Sequence, residues 1–190
     1  MTTAIVKGSI QDVAKRDGVS LAESFVNCDA IVVVDVSGSM AEADSRGGRK
    51  RYDVALEELA QLQSAMPGKV AVIAFSDGPI FCPAGAPPFL GSGTNLLGAL
   101  QFAKVADMPD MRFIVVSDGQ PNEPDAAIAL ARTFQGRIDT VFVGPETDRY
   151  SREYMAKLAS ARGGQTALAA QVKELAVKVE RLLLTEGARA

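Results

Sequence analysis

Residues 32–41 read VVVDVSGSMA. From Ile31 to Val34 the chain is apolar without a break, and then an acid, Asp35, and two hydroxyls, Ser37 and Ser39, follow within five residues. A strand that is apolar at consecutive positions is one covered on both faces, as in a parallel sheet. Open sheets of that kind gather ligands outside the carboxyl ends of their strands, so oxygen atoms placed there point to something that needs oxygen.

Three further runs share this character: KVAVIAFS (69–76), RFIVVSDG (112–119) and DTVFVG (139–144). Stretches with helical spacing separate them. Tyr52, Ala55, Leu56, Leu59, Leu62 and Met66 form one apolar stripe, and residues 95–105, residues 124–134 and the set Tyr154, Leu158 and Ala161 predict three more helices. Val172, Leu175, Ala176, Val179, Leu182 and Leu183 predict a last one. Strands alternating with helices are the signature of an α/β fold. The Gly- and Pro-rich segment 76–95 has no helical period and predicts an excursion with an edge strand near Ile80 to Cys82.

The totals agree with one folded, soluble domain. The 190 residues favour one domain with a sizeable core over two small ones, and 47% apolar with 23% charged residues is the balance of a globular chain. The apolar runs are far shorter than the roughly 20 residues of a spanning helix. A net charge of -3 offers no basic field for nucleic acid. Cys28 and Cys82 are too few for a disulfide framework, and residues 1–20 lack a secretory pattern; together these predict a cytoplasmic location. The absence of histidine removes imidazole acid–base chemistry and the commonest zinc sites.

Three loops carry oxygen. Asp35, Ser37 and Ser39 follow the first strand, with Gly38 expected to permit backbone angles that a bulkier residue resists; Asp118 and Gly119 end another buried run; Thr94 precedes an amphipathic helix in GSGTNL (91–96). Each residue alone is an ordinary turn or cap residue. Capping does not, however, require two buried strands to end in acids and a third loop to add a hydroxyl. Two carboxylates and three hydroxyls make a hard-oxygen site suited to Mg²⁺, which takes six oxygens and keeps waters, with Mn²⁺ or Ca²⁺ as substitutes.

DVSGSM (35–40), GSGTN (91–95) and VSDG (116–119), in this order, resemble the metal-ion-dependent adhesion site of von Willebrand factor A-type domains. The resemblance covers residues 29–184, leaving 1–28 as an amino-terminal helical extension and 185–190 as a tail. It implies a doubly wound, mostly parallel six-stranded sheet of order 3-2-1-4-5-6, with strand 3 antiparallel at an edge and helices on both faces. It also implies that Ser37, Ser39 and Thr94 supply hydroxyls to the ion, while Asp35 and Asp118 act directly or through water. The implied function is metal-dependent protein binding: a partner's Asp or Glu completes the coordination, and an ATPase or assembly complex is the implied setting. Met40, Asn95 and Gln120 adjoin the expected ligands and form a candidate partner-binding rim.

Two alternatives belong to other classes. One is a Mg²⁺-dependent phosphoryl-transfer or hydrolytic enzyme with Asp77 or Glu123 as base, although the chain has no phosphate loop and both acids read as surface carboxylates. The other is a DNA-binding regulator. SIQDVAKRDGVSLAESF (9–25) resembles the opening of the helix-turn-helix of lactose-repressor-type regulators, but departs at Asp17 and leaves no room for a third helix. Helices near Ile10–Lys15 and Leu21–Phe25, packed on the domain or docking a partner, are the simpler expectation. Arg46, Arg49, Lys50 and Arg51 read as a solvated basic cluster or part of a partner surface.

Overall fold

The computed structural model describes residues 5–168. Its elements are α1 (Ile10–Asp17), α2 (Leu21–Val26), β1 (Ala30–Asp35), α3 (Arg51–Ala65), β2 (Val70–Phe75), β3 (Pro79–Phe81), α4 (Leu96–Ala103), β4 (Arg112–Ser117), α5 (Pro124–Ala131), β5 (Arg137–Phe142), α6 (Arg149–Ser160) and β6 (Thr166–Leu168). The helix expected over Val172–Leu183 and the tail 185–190 lie outside the described residues.

The six strands form one sheet in the order β3-β2-β1-β4-β5-β6. β1 pairs in parallel with both β2 and β4, β4 with β5, and β5 with β6, while β3 is antiparallel to β2. This is the expected doubly wound α/β sheet. Every residue of β1, β2 and β4 is buried, which is why their sequences run apolar at consecutive positions instead of alternating.

The strand period of two divides those residues between two cores. On one face Val32, Val34, Val72, Ile114 and Val116 cluster with Val54, Ala55, Leu59 and Leu62 of α3. On the other, Ile31, Val33, Ile73, Phe113 and Val115 cluster with Leu96 and Leu100 of α4, Ala127 of α5 and Leu158 of α6. Each fully buried aliphatic side chain contributes about 1.5–3 kcal/mol relative to exposure. The parallel pairing of β1 with β2 and β4, and of β4 with β5, puts their carboxyl ends on one edge of the sheet.

Local sequence sets the helix starts. Asn95 and Asp148 accept backbone N–H groups of Gly98 and Ser151 as N-caps of α4 and α6, and Pro124 occupies the first position of α5. At the amino-terminal side, Ser9 caps α1, Gly18 ends it with φ 70°, and Ser20 with Glu23 forms a capping box on α2. The pair is held to the sheet: Ile10 joins the second core, Phe25 meets Phe81 edge-on at 5.6 Å, and Val6 N–H donates to the Ala84 carbonyl at 2.9 Å. Among the described residues, no helix is long and apolar enough to cross a membrane.

Candidate metal centre

After β1 the chain makes a short 3-10 turn over Gly38–Ala41. The Ser37 N–H donates to Asp35 Oδ1 at 2.9 Å, and the Ser37 and Ser39 hydroxyls lie 3.3 Å apart. Gly38 lies outside the left-handed region, which corrects the expected reason for it. Its role is close approach: its N–H donates to the Ser92 carbonyl at 3.0 Å, and a Cβ would sit 3.4 Å from that same oxygen.

The loop after β3 brings Thr94 to this turn. Ser92 holds a left-handed backbone, φ 72°, unusual for a residue with a side chain. Asp77 accounts for it: its carboxylate accepts the Ser92 hydroxyl at 2.5 Å and the Gly93 N–H at 2.9 Å, and its carbonyl accepts Asn95 Nδ2 at 3.0 Å. The Ser92 hydroxyl and the Gly93 N–H hold the Asp77 carboxyl below its ordinary value. Thr94 is buried, and its carbonyl accepts the Asn122 N–H at 3.0 Å, joining this loop to the one after β4.

That third loop closes the set. Ser117 Oγ donates to Asp35 Oδ2 at 2.7 Å and accepts the Gly119 N–H at 3.0 Å. Asp118 is buried; Oδ2 accepts Arg51 Nη1 at 2.7 Å, while Oδ1 has no hydrogen-bond partner among the described residues. The Asp35 carboxyl is pushed up to about 6, first by burial and then by the Asp118 charge, against the hydrogen bonds from Ser37 and Ser117.

The structure therefore joins Asp35, Ser37 and Ser39 directly to one another. It brings the Thr94 and Asp118 loops to them through the Gly38–Ser92, Asn122–Thr94 and Ser117–Asp35 hydrogen bonds. A divalent cation fits this chemistry. An unpartnered buried carboxylate oxygen costs free energy that a cation would offset, and the available donors are carboxylates and hydroxyls. Among the described residues no group of three or more His, Cys, Asp or Glu side chains gathers as a metal site, so an ion held here relies on hydroxyls and water beside two carboxylates.

Several expectations change. Met40 is fully buried in the first core, because the 3-10 turn directs it inward, so it is not a rim residue. The Asn95 side chain is taken up by capping α4 and by the Asp77 carbonyl, whereas Gln120 stays exposed. The basic cluster is not simply solvated. Arg51 is buried and bridges Asp118 and Asp44, Arg46 pairs with Glu57 and Glu58, and Arg49 pairs with Glu57. Arg51 and Ser117 are the residues that the sequence reading did not place at the site, and Asp77, weighed there only as a base, instead holds the Thr94 loop. For Arg51, the first position of α3, the helix that follows the oxygen-bearing turn in the chain, was the available signal.

No protein-family profile matches the chain, and no curated protein does. Solved structures do match it. An aerotolerance-related membrane protein from Bacteroides fragilis is 15% identical, with a TM-score of 0.68 over 83% of this chain and 99% of that chain. A von Willebrand factor type A protein from Catenulispora acidiphila is 15% identical, TM-score 0.57, over 81% of this chain and 42% of its own. The manganese-loaded TRAP protein of Plasmodium vivax is 14% identical, TM-score 0.59, over 83% and 73%. At such identities the likeness shows the fold. The chain has the fold of von Willebrand factor A-type domains.

Proposed function

We propose that this chain is a protein-binding module whose contact is completed by a divalent cation, Mg²⁺ foremost, held at the carboxyl edge of β1 and β4. Ser37, Ser39 and Thr94 would offer hydroxyls, with Asp35 and Asp118 contributing directly or through water. The bound ion would supply a Lewis-acidic position for an Asp or Glu of the partner. The observation that carries the reading is the buried Asp118 Oδ1, without a hydrogen-bond partner among the described residues, in a loop tied through Ser117 and Asp35 to the 3.3 Å pair of serine hydroxyls.

The chain's own residues prepare that contact. Ser37 N–H and Ser117 Oγ each hold one oxygen of Asp35, so its carboxylate plane is set before any ion arrives. Asp77 fixes the loop that presents Thr94. Gln120 is exposed near Asp118, its Nε2 donating to Asp148 Oδ2 at 3.4 Å, and is the remaining rim residue at the surface. The module is not an enzyme on this reading. The Asp77 carboxylate is committed to the loop; Glu123 is exposed at the start of α5; and the chain contains no histidine. A cytoplasmic setting beside an ATPase or assembly complex remains part of the proposal.

Calorimetry with Mg²⁺, Mn²⁺ and Ca²⁺ tests the ion, and a pull-down with Mg²⁺ against chelator tests the partner, with Asp35→Ala as control. Partners lost both on chelation and in the variant support the reading. A wild-type protein that binds none of the three ions at millimolar concentration overturns it.

A further inference from the structure

Arg51 is the first residue of α3 and is buried against the site. Its guanidinium makes three charge-assisted hydrogen bonds: Nε to Asp44 Oδ1, Nη2 to Asp44 Oδ2 and Nη1 to Asp118 Oδ2, each at 2.7 Å. The two contacts to Asp44 form a fork-to-fork pair that only a planar guanidinium can make. Its backbone is also anchored, the Arg51 N–H donating to the Glu42 carbonyl at 3.0 Å. The result is a fixed positive charge on one oxygen of Asp118, while the other oxygen has no partner among the described residues.

We infer that Arg51 determines the site's preference between cations and anions: it weakens the hold on the divalent ion and strengthens the loaded site's hold on a carboxylate. The inference rests on the metal-centre reading above. Charge decides it. Asp35 and Asp118 together cancel a divalent ion, and a site so neutralised attracts an incoming carboxylate weakly. Arg51 adds one positive charge. Asp44 and Asp148, which also feels the Arg51 charge, offset it only in part, because Asp44 is exposed and Asp148 partly so and water screens both, whereas Arg51 and Asp118 are buried. A loaded site containing Arg51 is thus net positive where a partner's acid must dock.

A residue that only supported the fold would not produce opposite effects on the two ligands, and this supplies the test. The full chain is titrated with Mn²⁺ by calorimetry, and L-glutamate is then titrated into the Mn²⁺-loaded protein, read as loss of water-proton relaxation enhancement. Arg51→Met is expected to bind Mn²⁺ about tenfold more tightly and glutamate several-fold more weakly. Asp44→Asn, which frees the whole guanidinium charge to act on Asp118, is expected to shift Mn²⁺ in the opposite direction. Circular dichroism verifies folding, and should Arg51→Met not fold, the weaker Mn²⁺ binding expected of Asp44→Asn carries the test. Wild-type protein that binds no Mn²⁺ removes the metal reading itself. Wild-type protein that binds Mn²⁺ while both variants match it, or shift it in the same direction, overturns this inference alone.

Discussion

The Ser117 hydroxyl donates to Asp35 Oδ2 across 2.7 Å, tying the last residue of β4 to the last residue of β1. The same oxygen accepts the Gly119 N–H, so one buried hydroxyl serves two loops. Ser117→Ala strands a carboxylate oxygen and an amide, and we expect a stability loss of about 2 kcal/mol in urea unfolding together with weaker divalent-ion binding. Ser117→Thr keeps the hydroxyl and should recover most of both. An alanine variant as stable as the wild type would show that these bonds are replaceable.

Gly119 has φ 80°, and a Cβ there would lie 2.7 Å from the Ser151 carbonyl oxygen. Gly119→Ala therefore meets backbone strain and a clash with main chain at once. We expect about 2–3 kcal/mol of destabilisation, seen as a lower urea midpoint at unchanged slope.

Asp77 is exposed, yet it holds the left-handed Ser92. In Asp77→Ala the global melting temperature should change little, because exposed pairs contribute little to stability. The amides of residues 92–94 should exchange faster by hydrogen–deuterium exchange, and divalent-ion affinity should fall. Unchanged exchange at Gly93 would refute the anchoring role.

Burial pushes the Cys28 thiol up to about 12 and raises that of Cys82 as well. Native protein at pH 8 should react slowly with a disulfide reagent and release both thiols rapidly in denaturant. The linkage has a definite sign. An unfolded Cys28 ionises near 9.0 and the folded one only far above it, so stability falls as pH rises through that window. Cys28→Ala should flatten that part of the stability–pH curve.

Much of the fold was legible because burial on both faces leaves a continuous apolar trace: Ile31–Val34, Val70–Phe75 and Phe113–Val116 could be read directly as central strands. β6 left no such trace. Its described residues are Thr166–Leu168, beginning with a polar one, and only the family resemblance called for a sixth strand. At the site, the oxygen-bearing turns were visible because hydroxyls and acids interrupt apolar runs. The supporting residues were hidden for physical reasons. Arg51 sits in a run of basic residues whose neighbours face solvent, and its burial depends on Asp118, 67 positions away. Ser117 resembles the end of any strand until Asp35, 82 positions away, is placed against it. Met40 shows the converse: proximity in sequence to Ser39 suggested a surface role, and a single 3-10 turn put it in the core.

The sheet's border strand Pro79–Phe81 is half the length of its six-residue central strands and opens with a proline. So short a margin gives a neighbouring copy few free amides and carbonyls to zip onto, and crowded molecules have little template for edge-to-edge polymerisation along that flank. The carboxyl ends of the strands can thus stay open to a ligand while this flank resists sticking to itself.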